Sequence, residues 1–282
     1  MKKIVDHLNP SNTSINKTPM VSSSLLITLI VGVLAFATGY LTSQVKTLSA
    51  NKTTNTVTQA GTQQAAAQPN AAPISLDKIK ALFTDKNITS GEKNSKLLLV
   101  EFLDPSCPYC HVGGGKDPEL AKQIGTQFTY DTDGGTYKPP VTEMKKLVDA
   151  GKASMVTLYA TGHGNGKLAM EALYCANEQG KYWDAHDLLM SNAGYNLQND
   201  TVKNDRAKIP ELVSFLSSNV DANQLTDCLN TKKYESKVIQ DDQLGREYGV
   251  SGTPAFFVNT ASFKGAYNWT DMQSAANSAL GQ

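Results

Sequence analysis

Residues 97–103, Leu-Leu-Leu-Val-Glu-Phe-Leu, make an apolar run of strand length with one charged residue inside it. A run of this kind, without alternation, predicts a strand covered on both faces. Residues 154–160 repeat the pattern and predict a second strand. Helical spacing follows at residues 166–177 and 181–191, then at 211–217, 222–229 and 232–248. Residues 255–259 and 262–263 predict a closing hairpin, and residues 271–280 a last helix. Strands on both sides of a helical block predict an α/β chain with a helical insertion over about residues 161–248.

The pattern changes before residue 74. Residues 21–42 are apolar or small and uncharged, long enough for a bilayer span of about 20 residues. Lys2, Lys3 and Lys17 precede them and Lys46 and Lys52 follow, a modest bias that keeps residues 1–20 in the cytoplasm. Ala35-Phe-Ala37 has the small-x-small form of a signal-peptide cleavage site. The apolar run continues past it through Tyr40 and Leu41, which favours an uncleaved single-pass anchor in the cell membrane. A secreted or periplasmic protein after cleavage is the alternative. Residues 43–73 are rich in Ser, Thr, Asn, Gln and Ala and read as a flexible, disordered linker, since they bury too little to offset their ordering entropy. Residues 74–282 form the folded domain, outside the cytoplasm. The chain has 26 basic and 26 acidic residues, which removes the basic excess of a nucleic-acid binder.

Candidate chemistry lies where the first strand ends. Cys107-Pro-Tyr-Cys110 places two cysteines at a strand-to-helix junction. There, unpaired N–H groups and the helix dipole favour a thiolate, the reactive form of cysteine. Far downstream, Gly249-Val-Ser-Gly-Thr-Pro-Ala-Phe-Phe-Val-Asn259 sets Thr253 and Pro254 just before another strand. Rival readings exist. Cys107-Pro-Tyr-Cys-His111 also fits covalent c-type haem attachment, but the buried strand before it and the distant Thr-Pro-Ala-Phe-Phe segment argue against that. A zinc site wants a second Cys-x-x-Cys pair, which is lacking. A non-catalytic binding module is a further alternative.

Taken together, Val100-Glu-Phe-Leu-Asp104, Cys107-Pro-Tyr-Cys110, residues 172–189 and Gly252-Thr-Pro-Ala-Phe-Phe-Val-Asn259 resemble the extracytoplasmic DsbA-like thiol–disulfide oxidoreductases. The resemblance covers most of residues 95–282. It implies a thioredoxin fold with an inserted helical domain, here preceded by one transmembrane helix and a disordered linker. It also implies that Cys107 is the nucleophile, Cys110 the resolving thiol and the Thr253–Pro254 bond cis, facing the sulfurs. Glu101 matches a buried acid that relays protons to the resolving cysteine; an ordinary edge-facing glutamate is the alternative. Pro108 suits a helix first turn, and Tyr109, where DsbA has histidine, offers an apolar face to a substrate peptide. His111 is expected at the surface, tuning the thiolate charge. The implied activity is oxidation of thiols in exported polypeptides, with a DsbB-like or vitamin K epoxide reductase-like membrane partner. A reductase or an isomerase is the alternative. No cofactor or metal is called for.

Two features fall outside that resemblance. His111-Val-Gly-Gly-Gly115 weakens the active-site helix by roughly 1 kcal/mol per glycine, so that helix is expected to be short, kinked or restarted near Asp117-Pro118. Asp133-Gly134 in residues 127–138 predicts a hairpin, with a calcium loop starting from Asp131 and Asp133 as the alternative. Of the remaining cysteines, Cys175 and Cys228, an even pair in an exported chain favours a disulfide, worth about 4 kcal/mol for a loop of about fifty residues. Two buried thiols acting as small apolar side chains is the other reading.

Overall fold

The computed structural model describes residues 74–92 and 94–282. The cytoplasmic segment 1–20, the anchor or signal peptide 21–42 and the linker 43–73 lie outside the described residues. Among the described residues no helix is long and apolar enough to cross a membrane. In chain order the elements are α1 (Leu76–Lys80), β1 (Ile88–Gly91), β2 (Leu97–Leu103), α2 (Pro108–Gly114), α3 (Pro118–Ile124), α4 (Pro140–Asp149) and β3 (Ala153–Tyr159). A helical block follows, with α5 (Lys167–Glu178), α6 (Tyr182–Leu189), α7 (Asn192–Asn196), α8 (Ile209–Leu216), α9 (Ala222–Asn230) and α10 (Glu235–Glu247). The chain closes with β4 (Ala255–Val258), β5 (Ala261–Lys264) and α11 (Trp269–Leu280).

The strands form one mixed sheet in the order β1-β3-β2-β4-β5. β2 and β3 are buried at every position and pair in parallel, from Leu97 opposite Ala153 to Leu103 opposite Tyr159. β4 flanks β2 antiparallel, and β1 and β5 form the antiparallel edges. Side chains alternate across the pleat. Leu97 and Leu99 therefore join Met144 of α4 and Met272 of α11 on one face. Leu98, Val100 and Phe102 join Ile79, Tyr248 and Val250 on the other. Sequence reasoning missed β1 and α4, although Val141, Met144 and Val148 of α4 are apolar at helical spacing. β1 buries only Ile88 of its four residues, too few for a period to register.

The helical block lies between β3 and β4. Its core includes Leu168, Leu173, Leu212, Leu216, Leu225 and Leu229. Cys175 of α5 and Cys228 of α9 are joined by a disulfide, with their Cα atoms 6.0 Å apart.

The glycine run after the redox motif ends a helix. α2 stops at Gly114, and Gly115 adopts φ +73°. A Cβ there would stand 2.5 Å from Thr142 Oγ1, so the chain needs glycine to turn at this point. It restarts at Pro118, where the Asp117 side chain accepts the Leu120 N–H and caps α3. The hairpin expected at Asp133-Gly134 does not form. Asp131–Asp133 is a single 3₁₀ turn, and one isolated bridge links Tyr130 to Tyr137. Both tyrosines turn inward onto Val112 and Ala121, with their rings 6.1 Å apart. The bridge is parallel, whereas a hairpin pairs its strands antiparallel.

Candidate active site

Strand β2 delivers the chain to the site, and helix α2 opens on it. Cys107 is the N-cap of α2, in extended conformation, with Pro108 at the first helical position. A proline there loses no hydrogen bond, because the first N–H groups of a helix have no intrahelical partner. The Cys107 side chain is 5% exposed, whereas Cys110, one turn on, is fully buried. Both are free thiols. From the far side of the site comes the loop before β4, whose Thr253–Pro254 bond is cis. The Cys107 thiol donates to the Thr253 carbonyl at 3.3 Å.

The two sulfurs are held in opposite states. The Cys110 thiol is the largest influence holding Cys107 down, to about 7, against the opposing effect of burial. The Thr253 hydroxyl and the N–H groups of Cys110 and Tyr109 act in the same direction. Cys110 is pushed well above the ordinary thiol range by burial, and then by the neighbouring Cys107 sulfur. Near neutral pH Cys107 is therefore divided between thiol and thiolate, whereas Cys110 keeps its proton. This polarity suits thiol–disulfide exchange, because Cys107 is the better leaving group and the more accessible sulfur.

Glu101 occupies the middle of β2, opposite Thr157 of β3 and Phe256 of β4. It is completely buried, and neither carboxylate oxygen meets a hydrogen-bond partner among the described residues. Burial pushes its carboxyl up to about 8, offset only in part by the nearby Thr157 hydroxyl. An unpaired charge here would be strongly disfavoured, so Glu101 carries its proton at neutral pH.

His111 is not at the surface. As the residue one turn after Cys107, it points into the body of the protein and is fully buried. Its Nδ1 lies 2.9 Å from the Met190 carbonyl and its Nε2 2.9 Å from the Pro105 carbonyl. Burial pushes its pKa down to about 4, although both carbonyls and the Asp117 carboxylate favour the charged form. The ring is neutral near pH 7 and lends no cationic charge to the thiolate, contrary to the sequence expectation. It ties the turn before Cys107 to the end of α6. Tyr109 is 45% exposed beside the redox pair, with its ring 6.0 Å from that of Phe128. The segment between α3 and α4 thus supplies one wall next to Cys107.

Sequence reasoning missed Asp104, Ser106 and the loop of residues 161–166. Asp104 and Ser106 are buried side chains in the turn that precedes Cys107. The Asp104 carboxylate accepts N–H groups from Gly162, His163 and Gly164. A buried aspartate three residues before a catalytic cysteine, together with the Gly-His-Gly-Asn-Gly run, was the available signal.

A model of the family described as DSBA-like thioredoxin domain matches residues 98–277 of this chain. Among curated relatives, the Na(+)/H(+) antiporter NhaA 3 of Salinispora tropica is 26% identical over 209 residues, covering 73% of this chain and 26% of the relative. The NhaA 1 antiporter of Salinispora arenicola is 24% identical over 206 residues, with coverage of 73% and 26%. The chain thus spans about a quarter of the length of these curated relatives. Among solved structures, oxidised BdbD from Bacillus subtilis superposes with a TM-score of 0.51 at 19% identity, covering 70% of this chain and 94% of that one. Alpha-DsbA1 from Wolbachia pipientis gives 0.51 at 16% identity, with coverage of 72% and 96%. Reduced DsbG from Mycobacterium tuberculosis gives 0.51 at 18%, with coverage of 72% and 93%. These structural likenesses bear on the fold. With the family match over residues 98–277 and a polarised cysteine pair facing a cis-proline, the chain belongs to the DSBA-like thioredoxin domain family.

Proposed function

We propose that this protein is an oxidase that introduces disulfides into exported polypeptides. The observation that carries the proposal is the opposed ionisation of the two thiols, with Cys107 held down and Cys110 pushed up. This arrangement stabilises the reduced site and makes its disulfide an electron acceptor. In the oxidised enzyme a substrate thiolate attacks the Cys107 sulfur. The Cys107–Cys110 bond breaks, and Cys110 leaves with the electron pair and takes up a proton. A second substrate thiolate attacks the substrate sulfur of the mixed disulfide, and Cys107 leaves as a thiolate. The substrate loses two electrons and the enzyme gains them. Glu101, protonated and buried on β2, is the proton donor for Cys110 in this reading. The cis Thr253–Pro254 segment presents backbone to the extended substrate in the manner of an added strand.

An exported location is supported by the Cys175–Cys228 disulfide, since such bonds persist in oxidising compartments. It is also supported by the uncharged segment 21–42 and the lysines before it. In this reading a single-pass anchor holds the domain outside the cytoplasm, and a quinone-linked membrane protein of the DsbB or vitamin K epoxide reductase kind reoxidises it. One observation favours a reductase instead. A Cys107 pKa of about 7 is nearer to thioredoxin, at about 7, than to DsbA, at about 3.5.

Equilibration of the protein in glutathione buffers, with free thiols counted at Cys107 and Cys110, separates these readings. A midpoint at or above about −180 mV marks a disulfide donor, and one near about −270 mV a reductase. The absence of any reversible transition overturns both.

A further inference from the structure

The turn before Cys107 and the loop after β3 are joined through one buried carboxylate. Asp104 Oδ2 accepts the N–H groups of Gly162, His163 and Gly164, each at 2.9 Å. Asp104 Oδ1 accepts the Ser106 N–H at 3.0 Å and the Ser106 hydroxyl at 2.7 Å. The Ser106 oxygen in turn accepts the Asn165 N–H at 3.0 Å, and the Cys107 N–H donates to the Asp104 carbonyl at 2.9 Å. Three successive N–H groups converging on one oxygen make a backbone nest, a geometry suited to holding a carboxylate.

What the nest holds in place is the wall of the redox site. The backbone at Gly162 lies directly against the catalytic groups. A Cβ there would stand 1.8 Å from Thr253 Oγ1 and 3.4 Å from Cys107 Cβ. At Gly166 a Cβ would stand 2.0 Å from Asp104 Oδ1. The loop is therefore packed against the carboxylate at one end and against Thr253 and Cys107 at the other. Residues 161–163 remain exposed, so this is a surface wall and not part of the core. The Thr253 hydroxyl is buried, has no hydrogen-bond partner among the described residues, and lies near both active-site sulfurs, where it favours their ionised forms.

We propose that Asp104 is a positioning residue for thiol–disulfide exchange: its carboxylate clasps residues 162–164 so that Gly162 holds the Thr253 hydroxyl towards the Cys107 sulfur. Asp104 touches neither substrate nor the sulfurs and acts through Gly162 and Thr253. The role is the same whether the enzyme runs as an oxidase or as a reductase, so it stands apart from the direction proposed above.

The test is a double-mutant cycle on the full chain, with Asp104→Asn and Thr253→Val, read by the pH titration of Cys107 thiolate absorbance. An amide has one acceptor oxygen and cannot receive all five donors. The expected result is that D104N and T253V each raise the Cys107 pKa by about half a unit to one unit, because each withdraws from the sulfur a buried hydroxyl dipole that favours its ionised form. The double variant rises no further than T253V alone, because both changes remove the same contact. Amide exchange at Gly162, His163 and Gly164 accelerates in D104N. Additive shifts, or a folded D104N whose Cys107 titration matches the parent, overturn the proposal. If D104N does not fold, Ser106→Ala replaces it. That change removes the Asn165 link and one donor to Asp104 while keeping the carboxylate. A smaller shift of the same sign, absent in the T253V background, supports the proposal, and a folded S106A indistinguishable from the parent overturns it.

Discussion

Replacing Glu101 with glutamine isolates a buried proton. In the unfolded chain the carboxyl ionises around 4.5, and in the folded protein burial holds it protonated up to about 8. A group whose folded pKa is raised contributes stability that is complete below the unfolded value and is lost as pH climbs to the folded one. Each pH unit in that window removes about 1.4 kcal/mol, because the unfolded chain releases a proton that the folded one keeps. From pH 4.5 to 7 the parent therefore loses about 3 kcal/mol through this one side chain. Glutamine does not titrate. Its own amide, buried in the same apolar pocket, shifts stability by an amount independent of pH. The signal is thus the slope: the stability of E101Q relative to the parent rises by about 1.4 kcal/mol per pH unit from about pH 5 to 8 and then levels. Urea denaturation at pH 5, 6, 7 and 8 reads it directly, with Cys107 and Cys110 replaced by alanine in both proteins so that no thiol titrates. A difference that stays constant with pH, or falls, refutes the assignment of a protonated Glu101.

His111 carries the opposite sign. Its folded pKa lies near 4, below the ordinary 6.5, so this side chain alone costs about 3 kcal/mol as pH falls from 6.5 to 4; in a urea series extended down to pH 4, the stability of His111→Gln relative to the parent rises as pH falls through that window, and a difference constant with pH contradicts the burial argument. Between pH 4.5 and 6.5 the Glu101 and His111 slopes oppose each other, so each is read as the difference between its variant and the parent rather than from the parent curve. Removing the Cys175–Cys228 disulfide with two alanines lowers stability by about 4 kcal/mol, as expected for a bridge across 53 residues, and a loss below about 1 kcal/mol shows that the bridge constrains little. Gly162→Ala keeps the melting temperature within a few degrees because the residue is exposed, but it lowers kcat/KM by on the order of 100-fold, since its Cβ displaces the Thr253 side chain; full activity in this variant places the loop elsewhere.

Much of the redox site was legible along the chain because its parts are local. The strand, the two cysteines and the proline that opens α2 are neighbours in sequence, and their chemistry follows from residue type and order. The break after Gly114 was readable for the same reason, since glycine weakens a helix wherever it stands. The segment of residues 127–138 was misread. Asp133-Gly134 is a turn signal by itself, but the destination of Tyr130 and Tyr137 depends on Val112 and Ala121 in other elements.

The sequence by itself determined the α/β class, the central strands, most of the helical block and the redox pair, and it favoured a Cys175–Cys228 disulfide over two free thiols. These follow from hydrophobic period, turn residues and the reactivity of thiols, which are properties of short segments. Only the tertiary structure decided how the charges behave. His111 was expected at the surface, yet it is buried, and burial keeps its ring neutral even though the Pro105 and Met190 carbonyls that meet it favour the charged form. Asp104 carried no visible role until the loop of residues 161–166 folded back onto it, bringing three N–H groups from nearly sixty residues away. Burial and hydrogen bonding are sums over neighbours in space, and a chain read in order contains the neighbours only once it has folded.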